Sequence, residues 1–412
     1  MKLMKYLIVL GDGMADIPNS SLSGKTPLQA AVTPIISDYA SRALCGMVKT
    51  LPDDVEPGSG PANMSVMGYD PLLYYTGRSP LEAVSMGVPI QDGDIVFRCN
   101  LVSLRQSNAL SSYEDLIMKD YSAGEISTEE AHVLITDLDA ALGTEGLHLY
   151  SGRSYRHCLV WHNGPLQSQL TAPHDITDKD VRHYLPKGQM ESEILQLMKR
   201  SHEVLKDHPV NLKRRLEGKN TADSIWLWGQ GTRPNWPSFQ SMYNKSGAVI
   251  SAVDLLFGIA ICAGLKPIEV EGATGNLNSN LLGKAKAAIR AFKEGIEYVY
   301  VHVEAPDECG HQGDIFGKVR AIEKIESDVI RPLLQHLEDS KKTTGEDFRF
   351  MFLPDHPTPL DIRTHTSNPV PFLLYDSTDD KRSGVEKYDE YSCAGTGIFY
   401  PTGPSLFEEF IK

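Results

Sequence analysis

The stretch Tyr298-Val299-Tyr300-Val301-His302-Val303-Glu304-Ala305-Pro306-Asp307-Glu308-Cys309-Gly310-His311 decides how the rest of the chain is read. Its first half, Tyr298 to Val303, is a short apolar run of the kind that forms a strand buried in a parallel sheet. Directly after it come a carboxylate, Asp307, and an imidazole, His311, four residues apart, which is metal-ligand spacing on one helix face. Working outward, the same sequence of apolar run and ligand-type residue recurs at Tyr6 to Leu10, ended by Gly11-Asp12-Gly13. It recurs again at Phe348 to Leu353, followed by Asp355-His356, with Thr364-His365-Thr366 just beyond. Open α/β sheets bind ligands beyond the carboxyl ends of their strands, and these residues follow predicted strand ends. The set is large enough for two divalent ions.

Further strands are predicted at 46–51, 224–229 and 268–270, and helices at 253–263, 280–294 and 317–337, with another starting near Pro34 behind Thr33 as N-cap. This alternation predicts an α/β fold with a mostly parallel sheet and helices on both faces. Between about Asp94 and Asn220 the character changes to longer alternating segments, such as 147–161, and helices, such as 191–205. That stretch reads as an inserted α+β domain, residues 94–220, within a discontinuous catalytic domain, residues 1–93 and 221–412. The polar segments 77–94 and 212–223 read as outgoing and return linkers. A length of 412 residues suits two domains.

Composition narrows the function classes. The chain is 41% hydrophobic and 23% charged, close to globular averages. A formal net charge of −14 argues against a nucleic-acid or anionic-membrane surface, which needs clustered Lys and Arg. No apolar run approaches the roughly 18 residues of a membrane span, and the start, Met1-Lys2-Leu3-Met4-Lys5-Tyr6, has no signal-peptide pattern. The six cysteines are scattered without CxxC spacing, as expected of reduced thiols in a cytoplasmic protein. A homo-oligomer is compatible with the sequence.

Mixed Asp/His ligation favours manganese, zinc or iron over calcium, while magnesium prefers an all-oxygen shell. Two adjacent ions can polarise a phosphoryl group and activate an oxygen nucleophile from opposite ends of an in-line displacement. Pro57-Gly58-Ser59-Gly60-Pro61-Ala62-Asn63 supplies the nucleophile candidate, Ser59, before a proline suited to the first turn of a helix. Alone, Ser59 reads as an N-cap; beside metals and unpaired helix N–H groups it reads as a phosphate carrier.

These residues resemble the cofactor-independent phosphoglycerate mutases of the alkaline phosphatase superfamily, in their archaeal-type branch. The resemblance runs through Gly11-Asp12-Gly13, Pro57-Gly58-Ser59, Ala62-Asn63, Gly68-Tyr69-Asp70-Pro71, Gly77-Arg78-Ser79-Pro80-Leu81-Glu82-Ala83 and Phe97-Arg98-Cys99-Asn100. It continues through Tyr155-Arg156-His157, Trp228-Gly229-Gln230-Gly231 and the metal-ligand segments, and so covers essentially the whole chain. It implies an alkaline-phosphatase-like fold, one metal on Asp307, His311 and His365, and the other on Asp12, Asp355, His356 and the Ser59 oxygen. Manganese is the first choice, with zinc, magnesium, iron or cobalt as alternatives, and no 2,3-bisphosphoglycerate is needed. The implied reaction moves phosphate from the 3-hydroxyl of phosphoglycerate to the serine, lets glycerate reorient, and returns phosphate to the 2-hydroxyl.

Such a reaction must retain glycerate and exclude water between two transfers, a task for the inserted domain. Arg98, Arg153, Arg156 and Arg233 are candidates for the substrate's carboxylate and phosphate, since arginine forks bind such groups in pairs. His157, His174 and Asp175 are candidates for its hydroxyls, and Lys284 for a phosphate contact or a plain helix-face role. One departure stands out: Gly60 and Pro61 follow Ser59, where the family usually carries an acid and a valine. The competing readings are a phosphomonoesterase or another phosphotransferase built from the same parts, and a non-catalytic metal-binding protein. A homoserine kinase would be one of these phosphotransferases, but the chain has no Walker-type glycine loop.

Overall fold

Leu7, Ile8, Val9 and Leu10 are shielded from solvent on both faces of their strand, the environment that continuous apolar runs require. A computed structural model describes residues 4–106, 112–379 and 383–412, so Met1 to Leu3 of the N-terminal segment lie outside the described residues. The chain forms two units, Met1–Tyr75 with Asn235–Lys412, and Thr76–Pro234.

The first unit carries an eight-stranded sheet in the order Lys266–Ile268, Gly247–Ile250, Tyr298–Val303, Met4–Gly11, Asp347–Leu353, Val370–Asp376, Leu44–Val48, Phe399–Tyr400. Its strands are parallel except Val370–Asp376, which opposes both neighbours. Alternation assigns the faces. Leu7, Val9, Val299 and Val301 pack with residues of the helices Pro34–Arg42, Leu281–Lys293 and Arg331–Thr344. On the other face Tyr6 meets Phe410, and Tyr298 stacks on Phe239 at 4.6 Å. The sheet is therefore covered on both sides, as the alternation of elements predicted. The expected helix 317–337 is instead two α-segments, Ile315–Lys324 and Arg331–Thr344, joined by a π-helical turn, Ile325–Ile330. At that turn the Glu326 carboxylate accepts the Ile36 N–H, 2.8 Å away, at the start of helix Pro34–Arg42. Thr33 precedes that helix without a side-chain cap.

The second unit is an antiparallel sheet of Ile117–Asp120, Asp94–Arg105, Arg156–His162 and Leu147–Arg153, with Ser224–Thr232 paired to Asp94–Arg105. Residues of helices Thr128–Leu142 and Glu191–Leu205 complete its core. This extends the insertion beyond 94–220 at both ends. The reason is pairing: Ser224–Thr232, expected in the parallel sheet, is the antiparallel partner of Asp94–Arg105. The segment read as a return linker begins inside helix Pro209–Leu216, whose Arg214 is buried and donates to the Ala123 and Asn220 carbonyls, each at 2.7 Å. The outgoing segment holds another helix, Arg78–Ser85.

Candidate active site

Strand register builds the site in the first unit. Gly11 pairs with Val303 and Leu10 with Leu353, so three adjacent parallel strands end nearly level. Asp12 follows the first. The second leads into helix Ala305–Gln312, whose Asp307 and His311 lie on one face, one turn apart. Asp355 and His356 follow the third. Ligand atoms of Asp12, Asp355 and His356 converge within 4.8 Å, and so do those of Asp307, His356 and His365. His311 joins the second group, its Nε2 lying 3.1 Å from Asp307 Oδ2 and 3.0 Å from His365 Nε2. His356 Nε2 lies 3.4 Å from Asp12 Oδ1 and from Asp355 Oδ2, and 3.3 Å from Ser59 Oγ. Ser59 opens helix Ser59–Val66 behind Gly58. All seven residues expected to form a metal-serine centre thus meet at one sheet edge.

The donor set fits cations. The ion pairs of Asp12, Asp307 and Asp355 among the described residues are with histidines alone. Burial, with Asp355 and Asp307 close by, pushes the Asp12 carboxyl well above the carboxylate range. Burial also opposes ionisation of Asp307, but hydrogen bonds from His311 and His365 outweigh it and hold that carboxyl well below the usual range. Asp307 in turn raises His311 to about 9. Asp12 Oδ1 is buried without a hydrogen-bond partner. Buried carboxylates crowded together, an orphaned oxygen and converging ring nitrogens are what cations would satisfy.

A surrounding set of groups, absent from the sequence reading, orients these ligands. The Thr358 hydroxyl donates to Asp307 Oδ1, leaving its oxygen to accept from His356 Nδ1 at 3.2 Å and turning His356 Nε2 toward the site. His311 Nδ1 donates to the Arg363 carbonyl at 2.9 Å, with Arg363 held at φ 54°. His302 Nε2 lies 2.8 Å from Asp12 Oδ2. Asn63 Nδ2 donates to Asp355 Oδ2 at 2.8 Å and to the Ser59 carbonyl at 2.9 Å, while Tyr300 donates to Asn63 Oδ1 at 2.6 Å. Two signals could have revealed part of this. Tyr300 and His302 share one face of their strand, and Asn63 sits one helical turn after Ser59.

In the second unit, Arg98 and Arg156 lie on one face of the sheet, opposite Cys158 and Asn100 respectively. Arg98 Nε is 2.9 Å from Glu82, and its guanidinium stacks 4.2 Å from the Trp228 ring. Burial lowers Arg98 to about 10. Arg156 stacks at 4.6 Å on Tyr155, and ring contacts run from Tyr155 through Tyr121 and His174 to Trp228. His174 Nε2 is 3.7 Å from Asp175, and Arg153 pairs with Arg156 in the hairpin.

The other three candidates lie elsewhere. His157, one residue along from Arg156, points to the opposite face, opposite Cys99; buried and lowered to about 3, it accepts the Gly152 N–H at 3.0 Å. Arg233 is exposed beyond the far end of Ser224–Thr232, paired with Asp92 at 3.1 Å. Lys284, in the first unit, is fully buried and donates to the His302 carbonyl at 2.7 Å, so it props a strand rather than facing solvent.

The departure after Ser59 has a steric partner. A Cβ on Gly60 would lie 3.0 Å from Tyr75 Cε2 and 3.2 Å from its hydroxyl oxygen. Gly60→Asp, the acid that the resemblance leads one to expect there, should displace that ring at a cost of about 1–2 kcal/mol and lower turnover. Tyr75→Leu in the same chain should recover the stability. Denaturant unfolding of the single and double variants checks this, and a Gly60→Asp protein as stable as wild type would refute it.

Sheet, ligand clusters and serine together define a class: an α/β enzyme of phosphoryl transfer. A sequence model for 2,3-bisphosphoglycerate-independent phosphoglycerate mutase matches residues 40–211. The protein of that name from Methanosarcina barkeri is 50% identical over 390 residues, spanning 94% of each chain. Among solved structures, a protein from Pyrococcus horikoshii aligns with a TM-score of 0.79 at 26% identity, over 100% of this chain and 98% of its own. A cofactor-independent phosphoglycerate mutase from Thermoplasma acidophilum shares the fold, with a TM-score of 0.64 at 23% identity over 100% and 99% of the two chains. The chain belongs to the 2,3-bisphosphoglycerate-independent phosphoglycerate mutase family.

Proposed function

We propose that this protein interconverts 3-phosphoglycerate and 2-phosphoglycerate through a phosphoserine at Ser59, using two divalent cations, manganese first. The observation that carries the reading is the position of Ser59 Oγ, 3.3 Å from the imidazole shared by both ligand clusters. Asp307, His311 and His365 would hold one cation, and Asp12, Asp355, His356 and Ser59 the other. Such cations withdraw charge from a phosphoryl group and lower the pKa of a hydroxyl.

The chain's own groups do the rest. Ser59 Oγ forms the bond to phosphorus as the bond to the substrate's O3 breaks, and the serine proton passes, in net balance, to the departing glycerate oxygen. Return transfer to O2 reverses those changes. The start of helix Ser59–Val66 favours the phosphate by its dipole, although Pro61 offers no N–H. Arg98, Arg153 and Arg156, with His174 and Asp175, are the proposed holders of the glycerate carboxylate and hydroxyls.

Six free thiols support a reducing, cytoplasmic setting, and no helix among the described residues is long and apolar enough to cross a membrane. The test is an assay with Mn2+ and 3-phosphoglycerate. The expected product is 2-phosphoglycerate without added 2,3-bisphosphoglycerate; release of inorganic phosphate alone would make the protein a phosphomonoesterase.

A further inference from the structure

We infer that Lys318 and Asp16, a fully buried ion pair outside the ligand set, are positioning residues that lock the two ligand-bearing loops in the geometry cations require. The inference rests on the cation reading above. Lys318 lies on helix Ile315–Lys324 with no solvent exposure. Its ammonium donates to Asp16 Oδ2 at 2.7 Å, to the Thr358 carbonyl at 2.8 Å and to the Ala15 carbonyl at 3.4 Å. These three acceptors match its three protons. They come from both loops: Ala15 and Asp16 follow Asp12, and Thr358 follows Asp355 and His356.

The same two loops touch directly, through the Thr358 N–H on the Ala15 carbonyl at 3.2 Å and the Leu360 N–H on Asp16 Oδ2 at 3.3 Å. Thr358 is the link to the chemistry, since its hydroxyl contacts Asp307 Oδ1, in one cluster, and His356 Nδ1, in the residue shared by both. Fixing the Thr358 carbonyl therefore fixes the hydroxyl that aims Asp307 and His356. A buried ion pair gives little net stability, because desolvation offsets the attraction, and well-packed apolar side chains often replace one without loss. What apolar side chains cannot do is hold two loop carbonyls and a carboxylate at hydrogen-bond distance. The pair also places no net charge behind the cations.

The test measures Mn2+ uptake by the full-length protein, followed by electron paramagnetic resonance without substrate, beside the thermal stability of the cation-free protein. Two variants are compared, Lys318→Met and the neutral double variant Asp16→Asn/Lys318→Met. The double variant leaves no buried charge unpaired and keeps the test usable if the single one does not fold. Mn2+ affinity is expected to fall by roughly 10–100-fold, the usual effect of losing groups that orient ligands. The double variant should melt, cation-free, near wild type and still bind Mn2+ weakly, and its turnover should recover at high Mn2+ with an unchanged KM for phosphoglycerate. Wild-type Mn2+ affinity in the double variant would overturn the inference alone, leaving the pair a packing element. Wild-type protein that takes up no Mn2+ would overturn the underlying cation reading and this inference with it.

Discussion

Ser59→Ala is expected to abolish conversion of 3-phosphoglycerate, by on the order of 10⁴-fold or more, while leaving the fold near wild type and Mn2+ still bound by Asp307, His311 and His365. The dissociation follows from what the serine oxygen touches. Its contact is His356 Nε2, whereas the Asp and His ligands are held by Thr358, Arg363, His302, Gly13 and Asn63. The bond Asn63 makes to residue 59 is to its backbone carbonyl, which alanine keeps. Nor does Ser59 cap its helix, because Gly58 occupies that position without a side-chain bond. The expected loss is therefore chemical. Acid-quenched wild-type enzyme should yield a phosphopeptide containing Ser59, and the alanine variant should not. An alanine variant that still forms 2-phosphoglycerate would remove Ser59 from the reaction.

The ligands were legible because each is a change of chemistry at the end of an apolar run, and parallel strands deliver such residues to one edge. Asp12, Asp307, His311, Asp355 and His356 all carry that signal. The groups that orient them carry less: Thr358 is a threonine in a loop and Arg363 an exposed arginine, and their roles depend on which loops meet. Strand partners were also hidden. Ser224–Thr232 begins as an apolar run much like Tyr298–Val303, yet it pairs antiparallel in the second unit, because pairing is a long-range property that local pattern does not specify. Val370–Asp376, the reversed strand of the first sheet, has the same difficulty. His157 and Arg156 are neighbours in the sequence, and the two-residue period of a strand sends their side chains to opposite faces. Lys284 is surrounded by small alanines on its helix, which allow that face to pack into the core and carry the lysine with it.

The motif Gly11-Asp12-Gly13 shows the same limit within three residues, and a pair of substitutions exposes it. Gly13→Ala is expected to weaken Mn2+ binding by about 100-fold or more, and turnover at limiting Mn2+ with it, whereas Gly11→Ala should be mild. Gly13 sits at φ +59°, a conformation that costs an alanine roughly 1 kcal/mol. Its new Cβ would lie 2.5 Å from Thr358 Oγ1 and 2.8 Å from the Asp307 Cα, and backbone cannot rotate away. Relief requires moving helix Ala305–Gln312 or the loop of Thr358, and either shifts Asp307. The Gly13 N–H also donates to Asp355 Oδ1 at 3.0 Å, so the disturbance reaches both clusters. A Cβ on Gly11 would instead meet the flexible end of Met14, its Sδ at 2.9 Å, which can swing aside. Mn2+ titrations of the two variants, beside their cation-free melting curves, decide the point. Equal Mn2+ affinities for Gly11→Ala and Gly13→Ala would mean that the second glycine does not set the spacing between the clusters.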